Sequence, residues 1–328
     1  MLLEIKDLKV YFKSSTGIVK AVNGVDINIR EGVTSAIVGE SGSGKSVTSL
    51  AIMGLLEDSS IEKITGEIKF DGKNLLELSE EELRKIRGNE ISMIFQEPMT
   101  SLNPALKIGY QMSEVFMEHF DMDKKTAKEK SIEMIEKVEI KRPKEIYNAY
   151  PHELSGGMRQ RIMIAMALSS NPKLLIADEP TTALDVTIQK EVLELMRKLK
   201  EDLNTSIIFI THDLAVVSDI ADYVNVLYAG KVVERAKAED IFKNPLHPYT
   251  RGLIRAIPNA HKKVDELYTI RGSVPNPVDL KDECHFCDRC DEAMEICRSK
   301  YPEEVDFDGH KVSCYLYRWL NGRNNITS

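Results

Sequence analysis

Gly39-Glu40-Ser41-Gly42-Ser43-Gly44-Lys45-Ser46 has the spacing G-x-x-x-x-G-K-S. Glycines in such a loop let successive backbone N–H groups turn toward one anion. A lysine adds a point charge, and the hydroxyl after it is placed to ligate a cation. This chemistry suits a nucleotide triphosphate. Gly39, Ser41, Gly42, Ser43 and Gly44 would surround the phosphates, with Lys45 on the β/γ-phosphates and Ser46 on magnesium. Asp178 and Glu179 close an apolar run, where paired carboxylates are costly unless a cation or hydrogen bonds offset them. Asp178 suits magnesium, directly or through water; Glu179 suits positioning or deprotonating an attacking water. His212, at another strand end, is placed to bond a γ-phosphate or to link water to that base. Taken singly, these features also read as a glycine-rich turn, a strand end meeting solvent and a surface histidine.

The elements that must position these groups follow from apolar patterning. Val33 to Val38 enters the glycine loop, and Val47, Leu50, Ala51 and Met53 beyond it have helical spacing. Lys173 to Ala177 and Ser206 to Ile210 are two further buried strands. Between them Ile188, Val192, Leu195, Met196, Leu199 and Leu203 recur at three and four, an amphipathic helix. Strand, helix, strand in that order predicts a mostly parallel core sheet whose functional groups gather at the carboxyl ends of the strands. Alternation at Leu8, Val10 and Phe12, at Val25, Ile27 and Ile29, and around Gly66 to Phe70 predicts an antiparallel side sheet. Residues 98–171 read as a helical subdomain, and after about 240 prolines break the pattern. The expected division is 1–240 and 241–328.

Of the 328 residues, 42% are apolar and 29% charged, which supports a sizeable core and excludes a disordered chain. A net charge of −8 disfavours sequence-independent grip on nucleic-acid phosphates, so no nucleic-acid partner is expected. No apolar run approaches the ~20 residues of a membrane-spanning helix. The opening Met-Leu-Leu-Glu-Ile-Lys lacks the pattern of a secretory signal, so a cytoplasmic location is expected. All five cysteines lie between Cys284 and Cys314, a clustering that reads as a metal site more than a disulfide framework.

Leu154-Ser155-Gly156-Gly157-Met158 makes the chain resemble the ATP-binding cassette (ABC) ATPases, through their signature motif. The resemblance covers about residues 1–240 and implies a P-loop α/β fold with a helical subdomain. It implies that Ser155, Gly156 and Gly157 contact the γ-phosphate of a nucleotide held by the opposite subunit. A helix N-terminus with exposed N–H donors suits that role. It further implies that Gln96 senses magnesium and couples to a membrane partner, that Asp185 belongs to the D-loop of Ala183-Leu184-Asp185, and that His212 is the switch histidine. Phe12, with Tyr11 as the alternative, would stack on adenine. Two such domains would sandwich two ATP molecules.

Gln96-Glu97-Pro98-Met99-Thr100-Ser101-Leu102-Asn103-Pro104 and Asn244-Pro245-Leu246-His247-Pro248-Tyr249-Thr250 resemble the ATPases of dipeptide and oligopeptide importers and their nickel-importing relatives. Ile270 to Pro275, Phe286, Arg289 and Cys290 continue the match, whereas Asp282-Glu283 stands where relatives often have Pro-Gly. The resemblance implies two membrane permease subunits, a second, non-identical ATPase subunit, a peptide-binding protein, and a place on the cytoplasmic side of the membrane. Cys284, Cys290, Cys297 and Cys314 match four cysteines that in some relatives hold a [4Fe–4S] cluster, with Cys287 extra. Zinc, held by four thiolates or by three and an imidazole from His285 or His310, is the alternative. The C-terminal extension is therefore expected to bind metal. A soluble ABC ATPase acting on ribosomes or DNA fits less well, since only about a hundred residues, without heptads, separate Gly44 from Ser155. A metal-sensing module resting on the cysteine tail is the remaining alternative.

Overall fold

The computed structural model describes residues 1–96, 101–182, 184–257 and 268–318. They fall into two compact units. One comprises Met1–Ile29, Ser35–Leu76 and Thr211–Ser328; the other comprises Arg30–Thr34 and Glu77–Ile210.

In the first unit, β1 (Leu3–Ser14) and β2 (Gly17–Ile29) form a long antiparallel hairpin. Its inward positions Leu3, Ile5, Leu8 and Val10 face Ile29, Ile27, Val25 and Val22, and all are buried. β4 (Ile61–Phe70) and β5 (Lys73–Asn74) complete the sheet in the order β2-β1-β4-β5. This is the antiparallel side sheet that the alternation predicts. β3 (Thr34–Val38), buried at every residue, runs parallel to β9 (Tyr223–Tyr228) and leads into α1 (Lys45–Met53).

β10 (Lys231–Lys237) pairs antiparallel with β9. The C-terminal segment then adds β12 (His310–Val312) to β10 and β11 (Val305–Phe307) to β12. These three-residue strands have no periodic signature in the sequence. The tail also enters the core. Leu280 and Phe286 pack in one cluster with Val38, Val226, Tyr228 and Tyr249. The Phe286 ring lies 5.2 Å from Tyr228 and 5.4 Å from Tyr249. Large aromatic area buried in this arrangement dominates local packing, so the described tail segment around Leu280 and Phe286 forms part of the same body as β3 and its loop.

In the second unit, β6 (Ile91–Ile94), β7 (Leu174–Asp178) and β8 (Ser206–Thr211) are parallel. Their burial is nearly continuous, as a parallel sheet covered on both faces requires. β7 lies one residue later than the apolar run suggests, which makes Asp178 its last residue. α2 (Glu80–Ile86) starts at a Ser79/Glu82 capping box. α3 (Ile108–Phe120), α4 (Lys124–Lys137) and α5 (Pro143–Asn148) form the expected helical region. A hydroxyl chain from Ser131 through Ser113 to Tyr147 ties these three together. α6 (Gly156–Leu168) and α7 (Val186–Leu203) follow, and α7 buries the stripe Val192, Leu195, Met196 and Leu199 that its spacing predicts. Among the described residues no helix is long and apolar enough to cross a membrane.

Candidate nucleotide-binding site

The loop between β3 and α1 depends on glycine. Gly44 caps α1 with φ 100°, and a Cβ there would stand 2.5 Å from the Ala21 carbonyl oxygen. At Gly39 it would stand 2.2 Å from the Leu227 oxygen. Any other residue would displace the loop from β2 or β9. Lys45 is buried and folds back across the loop, its Nζ donating to the Gly39 carbonyl at 2.8 Å and to the Glu40 carbonyl at 3.0 Å. Ser41 and Gly42 are exposed, and Ser46 sits half-buried in the first turn of α1. The Ser43 hydroxyl is buried with no hydrogen-bond partner among the described residues, a polar atom of the loop that remains unsatisfied by protein.

Glu40 is the loop residue whose role the sequence reading passed over. Its N–H donates to the Tyr249 hydroxyl at 2.9 Å. Its two carboxylate oxygens accept from one Arg289 Nη1 at 3.1 and 3.0 Å. Tyr249 is itself placed by His247, which caps the helix Pro248–Arg255 by accepting the Tyr249 N–H on Nδ1 at 3.1 Å. That bond requires an unprotonated Nδ1, and burial lowers the His247 pKa to about 4, which keeps the ring neutral. His212 is exposed just beyond β8, where Asp213 caps the next helix. Phe12 is half-buried in β1, opposite Val19 of β2 and Ile61 of β4. Tyr11 differs in having its hydroxyl committed to Asn23 Oδ1 at 2.6 Å.

In the second unit, Asp178 ends β7 at 4% exposure and Glu179 follows it with φ 47°. A left-handed non-glycine residue costs ~1–3 kcal/mol and tends to mark functional positions. The Glu179 N–H donates to the Ile210 carbonyl at 2.9 Å, which holds this turn. Gln96, at the end of the neighbouring strand β6, donates from Nε2 to Glu179 Oε2 at 3.2 Å. Thr182 Oγ1 donates to the same oxygen at 2.9 Å, a partner that the sequence reading did not identify. The structure thus brings Gln96 and Glu179 together. Glu97, Pro98, Met99, Thr100 and Ala183 lie outside the described residues.

Ser155 caps α6, accepting the Met158 N–H at 3.3 Å, and Ser155 and Gly156 are exposed. A Cβ on Gly156 would meet nothing within 4 Å, whereas on Gly157 it would lie 2.9 Å from Ile188 Cγ2 in the first turn of α7. Asp185 caps that turn, its Oδ1 accepting the N–H groups of Thr187 and Ile188. Its neighbour Val186 is 70% exposed. The signature tip and the start of α7 therefore form one exposed face of this unit.

Cys284, Cys287, Cys290, Cys297 and Cys314 are free and line one small cavity of about 20 Å³, with Phe286 and Tyr315. Burial pushes the Cys284 and Cys314 thiols up to about 12. Neither expected imidazole lines this cavity: His310 is bonded to Glu234 at 2.7 Å and His285 to the Ala229 carbonyl at 3.0 Å. Among the described residues no group of three or more His, Cys, Asp or Glu is arranged to hold a single metal ion.

Residues 22–182 match the model of the ABC transporter family, and residues 233–297 match that of the oligopeptide/dipeptide transporter C-terminal region. The chain is 54% identical to the oligopeptide transport ATP-binding protein AppD of Bacillus subtilis (strain 168), over 96% of this chain and 97% of that protein. The chain belongs to the oligopeptide/dipeptide family of ABC ATP-binding proteins. It is 49% identical to OppD of Salmonella typhimurium, over 96% of this chain and 93% of that one. It is 48% identical to the dipeptide transport protein DppD of Bacillus subtilis, over 96% and 94%. A solved dimer of an ATP-binding cassette in a post-hydrolysis state, bound to ADP and Pi, matches with a TM-score of 0.64 and 29% identity, over 72% of this chain and 98% of that one. This ABC protein is an ATPase with the P-loop α/β fold. The first matched region contains the glycine loop, Gln96, the signature tip, Asp178 and Glu179; the second contains Tyr249, Arg289 and four of the five cysteines.

Proposed function

We propose that this ABC ATPase powers uptake of di- or oligopeptides through an ABC importer, with water attacking the ATP γ-phosphate at a site completed by a second ATPase subunit. The observation that carries this reading is likeness to peptide-transport ATP-binding proteins over 96% of the chain, the C-terminal region included. Residues 1–240 form the ATPase domain, with the helical subdomain at 98–171, and 241–328 the extension. The subunit works at the cytoplasmic face of two membrane permeases, beside a non-identical second ATPase, and is fed by a peptide-binding protein.

Lys45 and the loop N–H groups hold the triphosphate, and Phe12 stacks on the adenine. Ser46, Asp178 and Gln96 supply magnesium ligands, directly or through water. The orphaned Ser43 hydroxyl fits an anion-bearing guest in this loop. Held by these residues, magnesium would supply positive charge to offset that of the phosphate oxygens. Glu179, oriented by Gln96 and Thr182, takes the proton of the attacking water, and His212 bonds the γ-phosphate. Ser155, Gly156 and Gly157 contact the nucleotide held by the other subunit, with Asp185 on the same face. Cells lacking this chain are expected to lose uptake of labelled di- or oligopeptide and to regain it with the native gene. Undiminished peptide uptake with loss of nickel uptake would overturn the substrate.

Cys284, Cys290, Cys297 and Cys314 are proposed to hold a [4Fe–4S] cluster. Four thiolates satisfy four irons, and a cluster needs its sulfurs further apart than a single ion does. Buried thiols held up near 12 stay protonated unless a cation offsets the charge, so a sulfur-lined cavity fits a guest of this kind. When bound, the cluster crosslinks the 284–297 segment to Cys314. Cys287 lines the same cavity but is additional to this set, its sulfur accepting from Arg298 Nη1 at 3.8 Å. Anaerobically purified protein is expected to contain iron and sulfide with visible absorbance, lost in Cys284→Ser and kept in Cys287→Ser. Stoichiometric zinc without iron would contradict the cluster.

A further inference from the structure

Every polar group of Glu40 is occupied. Its carbonyl accepts from Lys45 Nζ at 3.0 Å and from the Ser43 N–H at 3.2 Å. Its N–H is taken by the Tyr249 hydroxyl and its carboxylate by Arg289. The last two partners come from beyond residue 240, reached independently through the helix Pro248–Arg255 and through the 287–289 turn. Arg289 is only 7% exposed. Its Nε and Nη2 donate to the Arg271 and Ile270 carbonyls, Nη1 also donates to the Tyr228 hydroxyl, and its guanidinium lies 5.8 Å from the Phe286 ring. The guanidinium is therefore fixed by the tail core and presented to the loop.

A carboxylate in a loop that collects N–H groups for a triphosphate is a liability, since like charges repel and the interaction is strong where water is excluded. A fixed arginine removes that liability in two ways: it neutralises the charge and it holds the side chain to one place. From this geometry we propose that Arg289, with Tyr249, is a positioning residue for the phosphate loop. The C-terminal extension thereby sets the affinity of the ATP site through Glu40. This inference rests on the reading of residues 39–46 as the ATP phosphate site.

The test is titration of the purified full chain with a fluorescent ATP analogue and magnesium, beside steady-state hydrolysis by the assembled transporter. Native chain that binds no nucleotide would overturn the site reading itself, separately from the strut. Given native binding, Arg289→Met is expected to weaken affinity at least tenfold, raising KM while kcat stays within about threefold. Glu40→Gln, which keeps an acceptor and removes the charge, is expected to bind at least as tightly as the native chain. Arg289→Met combined with Glu40→Gln is expected to recover affinity to within about threefold of native. Should Arg289→Met not fold, Arg289→Lys is read against the same Glu40→Gln partner. If the double variant binds as poorly as the arginine variant alone, Arg289 merely staples the tail and the proposal fails.

Discussion

Replacing Glu179 by glutamine lowers steady-state ATP hydrolysis by about 10²–10⁴-fold, the range a positioned general base contributes, while leaving the fold intact. The substitution preserves shape and keeps an oxygen to accept from Gln96 and Thr182, at 3.2 and 2.9 Å in the native chain. It removes the basicity. Because both donors converge on Oε2, the carboxylate is held in one orientation, and its backbone is fixed by the bond from its N–H to Ile210. Stability measured by thermal unfolding should therefore change little. Turnover at the native rate would remove Glu179 from the base role.

Gly156→Asp separates catalysis from folding at a second place. A side chain there meets no heavy atom within 4 Å. An acid in the first turn complements the helix dipole by ~0.3–1 kcal/mol. Thermal stability of the isolated chain is thus expected to hold or rise slightly, and its own nucleotide binding to persist. In the assembled transporter, under the proposed role of Ser155 to Gly157, the new carboxylate would face a γ-phosphate and compete for the N–H donors that stabilise it. Losing one such donor costs about 10²–10³ in rate. Hydrolysis by the complex should fall by a factor of that order. Native hydrolysis would place the signature tip away from the nucleotide. Gly157→Ala is the contrasting case, because its Cβ would press on Ile188 at 2.9 Å and act through packing.

What could be read from the chain alone divides along a physical line. The glycine loop, the carboxylate pair and the signature tip are local: each is a strand end or helix start whose neighbours in sequence are its neighbours in space. The stripe on α7 and the alternation in β1 and β2 were legible for the same reason, since periodicity reports burial. The Arg289 to Glu40 pair spans 249 positions and leaves no periodic trace. Its only signal was a carboxylate in an anion-binding loop, a charge that needs a partner. Thr182 escaped because its role depends on the left-handed turn at Glu179. The tail strands escaped because three residues are too few to show a period. His285 and His310 were plausible ligands by proximity in sequence, but their rings are bonded to Ala229 and Glu234 instead.

The central claim is that water activated at Glu179 cleaves the ATP that this chain binds. The most direct measurement is the identity of the nucleotide retained on this chain, native or Glu179→Gln, in the assembled transporter after incubation with radiolabelled Mg-ATP and rapid removal of free ligand. The account predicts intact ATP on the variant and ADP on the native chain. ADP on both, formed at equal rates, would contradict it.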